Sequence, residues 1–476
     1  MPYRKRRRSF FAMSEIFRQL PSVDQILAQA PVALLLERYR REGVVAEVRR
    51  VLDRLRAQLV ESGEVFTRQE LLAQISCEVL VVCSAWQVRS LRRVINATGV
   101  VLHTGLGRAP LAHAAQTALV ESASYTNLEL DLPSGRRGER VLHVEQLVCA
   151  ACGAEAVAVV NNNAAAVLIA LNTLASGRQV LVSRGQMVEI GGSFRIPDVI
   201  AASGAELREV GTTNRTHLRD YEAALNADTG AILVVHPSNY RVLGFTAEVE
   251  LENLAALARR ADVPLVYDLG GGVLCDLAQW SLPSEPVVKD ELKKGADLVT
   301  FSGDKVLGGP QAGLIAGARD HVEAIRKNAL MRALRCDKLV YAALEATLAL
   351  YRLKPEILCQ ELPVLRMLCA PLAELEARAE RLAEAIGAAC GERVGIEIVE
   401  SLSQAGSGAL PLEDMPSRAV VLKPREGGVE TLARSLRTGE LAVVGRIEHE
   451  RLLLDMRTIA TEDEQDLVAA LRVALV

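Results

Sequence analysis

Asp297-Leu-Val-Thr-Phe-Ser-Gly-Asp-Lys-Val-Leu-Gly-Gly-Pro-Gln-Ala-Gly-Leu-Ile-Ala-Gly317 decides how this chain is read. An apolar run, Leu298 to Phe301, enters a polar, glycine-rich turn with one lysine, Lys305, and a second run, Leu314 to Ala316, follows. Short apolar runs bounded by glycine predict two strands joined by that turn. An ammonium held between buried strands is costly, so burial pulls its pKa down. A neutral amine there can form a Schiff base, the usual way enzymes hold pyridoxal 5'-phosphate. Ser302, Gly308 and Gly309 add hydroxyl and backbone N–H donors for a phosphate. A surface-loop lysine is the competing reading of the same residues.

Outward from this stretch, β-rich apolar runs recur at Ala156–Val160, Val180–Ser183, Ile232–Val235 and Leu265–Asp268. Helical patterns separate them at Ala164–Ala175, Tyr221–Asn226 and Leu251–Ala261. Strands alternating with helices predict a mostly parallel sheet covered on both faces, with ligands at the C-terminal ends of its strands. Beyond a helix-rich stretch over 338–390, strand-like runs return at Val394–Val399, Ala419–Leu422 and Arg451–Leu454, predicting a smaller α/β domain. Residues 14–92 are helical in pattern. Pro21-Ser-Val-Asp24 reads as a helix start, Thr67-Arg-Gln-Glu70 as a capping box, and Trp86 to Val94 as a linker helix. The expected organisation is a helical module over 1–85, a large domain over 86–340 and a smaller α/β domain over 341–476.

The chain has 476 residues, half of them apolar and 24% charged, as in a soluble globular protein. No stretch reaches the roughly 20 apolar residues that span a bilayer. Arg4-Lys-Arg-Arg-Arg8 is basic, but no signal-peptide core follows it, and Met13 offers a second start. Among nine cysteines, Cys149-Ala-Ala-Cys152 is the one close pair, with no second pair or histidine partner. Buried free thiols in a cytoplasmic protein, with no metal, is the reading. Residues 1–93 carry 17 Lys/Arg against 10 Asp/Glu, a balance of +7 within a chain of net charge −4. A basic appendage on an acidic body suits an anionic macromolecule, or simply a solvated face.

Four further segments bear on chemistry. Val159-Val-Asn-Asn-Asn-Ala-Ala-Ala166 is a strand end opening a helix, so Asn162, Asn163 and Ala164 present N–H groups to a phosphate, although asparagine is also a plain N-cap. Pro264-Leu-Val-Tyr-Asp-Leu-Gly-Gly-Gly272 puts Asp268 at a buried strand end, where a carboxylate needs a partner such as a pyridinium nitrogen. Arg332 and Arg335 are three apart on an expected helix and share a face, suiting an oxyanion or a surface ion pair. Arg108 lies in the glycine-punctuated loop His103-Thr-Gly-Leu-Gly-Arg-Ala-Pro110 and could add an anion contact. His236, ending a strand, reads equally as a core histidine or a functional one.

Together these segments resemble the bacterial selenocysteine synthase family, the L-seryl-tRNA(Sec) selenium transferases. The matching text includes Ile95-Asn-Ala-Thr-Gly-Val-Val-Leu-His103, Val160–Ala166, Ser183-Arg-Gly-Gln186 and Gly191-Gly-Ser-Phe-Arg-Ile-Pro-Asp198. It continues through Glu209–Leu218, Phe301–Lys305, Gly308–Gly313, Val444-Gly-Arg-Ile447 and Leu454-Asp-Met-Arg-Thr458. The resemblance implies a fold-type I, aspartate aminotransferase-like pyridoxal-phosphate enzyme. It would convert seryl-tRNA(Sec) to selenocysteinyl-tRNA(Sec) by losing the serine hydroxyl, through an aminoacrylyl-tRNA, and taking selenium from selenophosphate. It makes Lys305 the Schiff-base lysine, with Asp304 beside it handling a proton and Asp268 on the ring nitrogen. Arg108, Arg332 and Arg335 would hold selenophosphate, and the N-terminal module the tRNA. It also implies a homodecamer, a pentamer of dimers, with no membrane or DNA partner. Two departures stand out: Gly105 where the family pattern has asparagine, and Gln404-Ala-Gly-Ser-Gly408 in place of a more glycine-rich run. The alternative is a small-molecule pyridoxal-phosphate lyase on the same core. The basic helical residues ahead of the core favour the tRNA substrate.

Overall fold

The computed structural model describes residues 19–62, 66–86, 89–187, 189–190, 194–237, 240, 242, 244–407 and 414–475. The basic run at 4–8, Met13, Gly191–Ser193 and Gly408 lie outside the described residues. The chain divides into two compact units, Met1–Arg93 and Val94–Val476.

The first unit is helical: Val23–Leu27, Ala30–Arg38, Arg41–Ser62 and Arg68–Ala85. Ser22 and Thr67 both close reciprocal capping boxes, with Gln25 and Glu70 respectively. Each satisfies helix-end N–H groups that would otherwise lack partners. Val44, Val48, Val51, Leu52 and Leu55 form the buried stripe of the long helix, against Leu71, Ile75 and Val79 of the next. Among the described residues of the stretch 86–94, where a linker helix is expected, none is helical. The preceding helix stops at Ala85, where the Trp86 N–H donates to the Cys83 and Ser84 carbonyls. Val94 instead opens a strand, because Ile95 and Ala97 find a buried parallel partner far along the chain.

The second unit contains fourteen strands among the described residues: β1 (Val94–Ala97), β2 (Ala156–Val160), β3 (Gln179–Ser183), β4 (Glu189–Ile190), β5 (Phe194–Arg195), β6 (Glu206–Val210), β7 (Thr229–Val235), β8 (Leu265–Gly270), β9 (Leu298–Ser302), β10 (Gly313–Gly317), β11 (Val394–Gln404), β12 (Asp414–Pro424), β13 (Ala442–Glu448) and β14 (Arg451–Asp455). Seven form one sheet in the order β2-β10-β9-β8-β7-β3-β6, parallel except for β10, which runs against both neighbours. Strands β2, β7, β9 and β10 are buried along their whole length, as a sheet covered on both faces requires. Leu265 and Tyr267 of β8 face one core with Phe301 and Leu314, while Val266 faces the other with Val182 and Ile315.

The second sheet runs β1-β13-β14-β12-β11. Its core gathers Ile95, Val420, Leu422 and Leu454 against Leu375 and Leu382 of the helix Leu372–Cys390. Strand β1 thus joins this sheet although it falls within the stretch expected for the large domain. Two quoted motifs meet here. The Gly99 N–H donates to Thr458 Oγ1 at 3.0 Å, and a Cβ on Gly99 would lie 2.7 Å from Asp455 Oδ2. Asp455 is fully buried and accepts from the hydroxyls of Ser401 (2.6 Å), Ser403 (2.9 Å) and Ser417 (2.7 Å), which offset its lost hydration.

One contact joins the strands that carry the quoted motifs. A Cβ on Gly313 would fall 2.0 Å from the Asn162 carbonyl oxygen, so only glycine lets β10 pass the end of β2 this closely. Gly313→Ala is therefore expected to destabilise the protein by about 3 kcal/mol, read as a lowered unfolding temperature. An unchanged unfolding temperature would contradict this packing.

Candidate active site

The carboxyl ends of β7, β8 and β9 converge on one pair of buried groups. Asp268 follows three buried apolar residues of β8 and is 5% exposed. Its register partner on β9 is Thr300, whose Oγ1 donates to Asp268 Oδ1 at 3.1 Å. Asn163 Nδ2 donates to the same oxygen at 2.7 Å. Burial still pushes the Asp268 carboxyl above the usual carboxylate range; those two hydrogen bonds, then Lys305 and His236, oppose it.

Lys305 sits in the turn after β9, 8% exposed. The turn is pinned by the Val306 N–H donating to the Gly271 carbonyl (3.2 Å) and the Gly308 N–H to the Lys305 carbonyl (2.9 Å). Lys305 Nζ lies 3.9 Å from where a Cβ on Gly270 would be, which brings it to the end of β8. Burial draws the ammonium below its ordinary range; Asp268 opposes this most strongly among the charges, and Arg108 reinforces it.

Asp304, 6% exposed, accepts from Arg108 Nη1 at 2.6 Å, and its carbonyl accepts from the Ala109 N–H. Arg108 has φ +64°, uncommon for a side-chain-bearing residue, and follows Gly107 at φ +93°. That left-handed pair turns the loop so that the guanidinium meets Asp304.

At the end of β2, Asn162 caps the helix Asn163–Ala175, its side chain accepting from the Ala165 N–H at 2.8 Å. The first N–H groups of that helix, on Asn163 and Ala164, have no intrahelical acceptor and carry the positive end of the dipole. Asn161, Asn162, Ala164 and Ala165 line an open cavity of about 400 Å³ that Arg195 also borders. Ser302, 7% exposed, is the register partner of Gly313, which abuts Asn162.

Arg332 and Arg335 do not share a helical face. Their helix spans only Met331–Leu334, and Arg335 leaves it in extended conformation, φ −66°, ψ 146°. A bridge from Val160 to Arg335, and the Asn161 N–H donating to the Leu334 carbonyl, draw the chain out of the helix toward the end of β2. Arg335 Nη1 reaches Glu129 Oε1 at 3.2 Å, a carboxylate also held by Arg140 (2.8 Å) and Arg137 (2.7 Å), while Arg332 is exposed. The hydrogen bond from Arg140, above all, holds the Glu129 carboxyl below its ordinary range. Sequence reasoning assigned neither Thr300 nor the Asn163 side chain to Asp268. A threonine beside the apolar core of β9, in step with Asp268, was the available signal.

The sheet order, with its single antiparallel strand, defines the fold-type I class of α/β enzymes. The solved structure of a D-glucosaminate-6-phosphate ammonia-lyase shares this fold, with a TM-score of 0.55 and 21% identity over 81% of this chain and 96% of that one. The family model described as L-seryl-tRNA selenium transferase matches residues 94–460, and the selenocysteine synthase N-terminal model matches residues 17–56. The chain is 50% identical over 449 residues to an L-seryl-tRNA(Sec) selenium transferase of Methylocella silvestris, covering 94% of this chain and 95% of that one. It is 47% identical to that of Geotalea daltonii, covering 96% and 99%. This chain belongs to the L-seryl-tRNA selenium transferase family.

The depressed Lys305 amine is directly measurable. Reductive methylation followed by peptide mass mapping is expected to modify Lys305 with a pH midpoint below the ordinary lysine value of 10.5. A midpoint at or above that value would contradict the burial of this side chain.

Proposed function

We propose that this protein converts seryl-tRNA(Sec) to selenocysteinyl-tRNA(Sec), using pyridoxal 5'-phosphate held by Lys305 and selenophosphate as the selenium donor. One observation carries the reading: a buried lysine, Lys305, reaches the end of the strand that carries the buried carboxylate Asp268. The residues fit the cofactor. Asn163 Oδ1 and His236 Nε2 are buried with no hydrogen-bond partner among the described residues. Asn163 Nδ2 donates to the Asp268 carboxylate, and the His236 backbone N–H donates to the Asp268 backbone carbonyl. A polar ring with a protonated nitrogen would use that spare capacity, and a phosphate suits Asn163, Ala164 and Ser302.

When bound, the cofactor supplies an electron sink for the charge that develops at the serine α-carbon. Lys305 Nζ would hold the cofactor and is placed to take the serine α-proton; burial favours the neutral amine that this proton transfer needs. Asp268, steadied by Thr300 and Asn163, would pair with the ring nitrogen of the cofactor and favour its protonated form. Asp304 handles a proton next to Lys305. The serine hydroxyl takes up a proton and leaves as water; selenium of selenophosphate then bonds to the β-carbon as the α-carbon regains a proton, and water cleaves the selenium–phosphorus bond, releasing phosphate. Arg108 orients the donor phosphate, and Arg332 and Arg335 complete its binding. Arg108 and Arg335 already hold carboxylates, the geometry that phosphate oxygens also accept.

The N-terminal module is read as the tRNA grip. Arg41, Arg49, Arg50, Arg54 and Arg56 are all exposed on one helix, although four of them pair with neighbouring acids. Val120, Tyr125, Leu132 and Leu142 are exposed apolar side chains close together in sequence, which suits assembly with further copies of the chain as a homodecamer. Among the described residues no helix is long and apolar enough to cross a membrane. The free cysteines suit the reducing cytoplasm. The division of the second unit into a large domain to about 340 and a smaller one after it is part of the same proposal.

Purified protein given cofactor, seryl-tRNA(Sec) and selenophosphate is expected to shift the aminoacyl mass from serine to selenocysteine, and Lys305→Ala to abolish multiple turnover. Sustained turnover by that variant would overturn the assignment. Removing residues 1–85 is expected to weaken tRNA binding about 10- to 100-fold at fixed salt, with cofactor binding retained. An unchanged tRNA affinity would refute the role given to this module.

A further inference from the structure

Three guanidinium groups converge on one carboxylate at the β2 edge of the large sheet. Glu129 opens a short hairpin: the Gly138 N–H donates to the Glu129 carbonyl at 3.1 Å, Leu130 bridges Arg137, and the Asp131 side chain accepts from the Ser134 N–H at 2.8 Å across the turn. Backbone and turn bonds thus fix the hairpin, and the Glu129 carboxylate is not needed to close it. That carboxylate points instead at arginines. Its Oε1 accepts from Arg140 Nε at 2.8 Å and from Arg335 Nη1 at 3.2 Å, and its Oε2 from Arg137 Nη2 at 2.7 Å. All four side chains line an open cavity of about 250 Å³ against β2, together with Arg326 and Glu139. Arg326 is committed to Glu145 and the Val157 carbonyl, and Glu139 is exposed.

Each guanidinium is a fork of several N–H donors, and each spends one of them on Glu129. Arg140 spends another on the Cys336 carbonyl. One negative charge therefore sits among three positive ones, with donors to spare. A tetrahedral dianion would bring more charge and more acceptor oxygens to the same seat. We propose that Glu129 is an internal competitor for an anion seat formed by Arg137, Arg140 and Arg335, and that the phosphate group of the selenium donor takes this seat by displacing it. The Glu129 side chain is 28% exposed on the wall of an open cavity, so it can swing towards water as the ligand enters. A tethered carboxylate sets a threshold. A monoanion replaces like with like and gains little, whereas a phosphate dianion gains the unspent donors. Glu129 thereby makes the seat selective for charge, at the cost of weaker binding for every anion.

The inference rests on the donor reading given to Arg335, and its test separates the two claims. Inorganic phosphate is titrated into the holoenzyme by calorimetry at fixed ionic strength, for the unaltered protein, Glu129→Gln and Glu129→Asp. Glu129→Gln is expected to bind phosphate about 3- to 10-fold more tightly, and its KM for selenophosphate to fall in step. Glu129→Asp keeps the charge and is expected to stay near the unaltered protein. Equal or weaker phosphate binding by Glu129→Gln would mean that the carboxylate holds the arginines in place rather than competing, which overturns the inference and leaves selenocysteine formation standing. Tighter phosphate binding with an unmoved selenophosphate KM overturns the assignment of this seat to the donor. Failure of the unaltered protein to form selenocysteinyl-tRNA(Sec) overturns the proposed function and with it the donor assignment. If Glu129→Gln does not fold, Arg137→Gln serves instead, at a side chain that is 77% exposed. Its phosphate binding is expected to weaken about 3- to 10-fold, and an unchanged affinity overturns the seat.

Discussion

Asp268 and Lys305 carry opposite charges into a region where water cannot stabilise either, and the structure around them follows from that constraint. Neither group meets the other as a simple ion pair. Asp268 is steadied by Thr300 and Asn163, and Lys305 stands close to Gly270 at the end of the same strand. In a low-dielectric site, incompletely satisfied charges shift their proton equilibria, the carboxyl upward and the amine downward. Such paired shifts are how a protein prepares groups for proton transfer at neutral pH.

Backbone geometry makes the arrangement possible. Glycine at 313 lets β10 pass the Asn162 carbonyl, which brings the capped helix end and the lysine turn to one edge of the sheet. Gly272 at φ +74° would place a Cβ 2.3 Å from the Ser302 carbonyl, so the chain after Asp268 can fold against the end of β9 only without a side chain there. Arg108 is held in a left-handed conformation with its guanidinium on Asp304. The polar groups sit on turns, while the buried strands behind them are rigid and apolar. That division lets a sheet present reactive groups without losing its core.

Much of the framework was legible in the sequence. Ala156–Val160 and Leu251–Ala261 come out at the expected boundaries, and Leu265–Gly270, Leu298–Ser302 and Gly313–Gly317 within two residues, because apolar runs between turn residues have few alternatives. The elements that escaped depend on partners distant in sequence. Glu206-Leu-Arg-Glu-Val210 is an edge strand with exposed charges, and Val94–Ala97 becomes a strand only because Ala442–Gly445 lies beside it. Arg332 and Arg335 failed as a helical pair because their helix ends between them. The positions of Asp268 and Lys305 at strand ends followed from their flanking apolar runs. The Thr300 contact needed the register of β8 against β9, and the Asn163 contact needed the placement of the helix after β2. Local pattern does not specify those.

The account turns on one side chain. Borohydride reduction of the holoenzyme, followed by peptide mass mapping, would fix the cofactor to whichever residue carries it. The account predicts a single pyridoxyl-phosphate adduct on the peptide containing Lys305. An adduct on a different lysine, or none from protein that retains its cofactor, would contradict it.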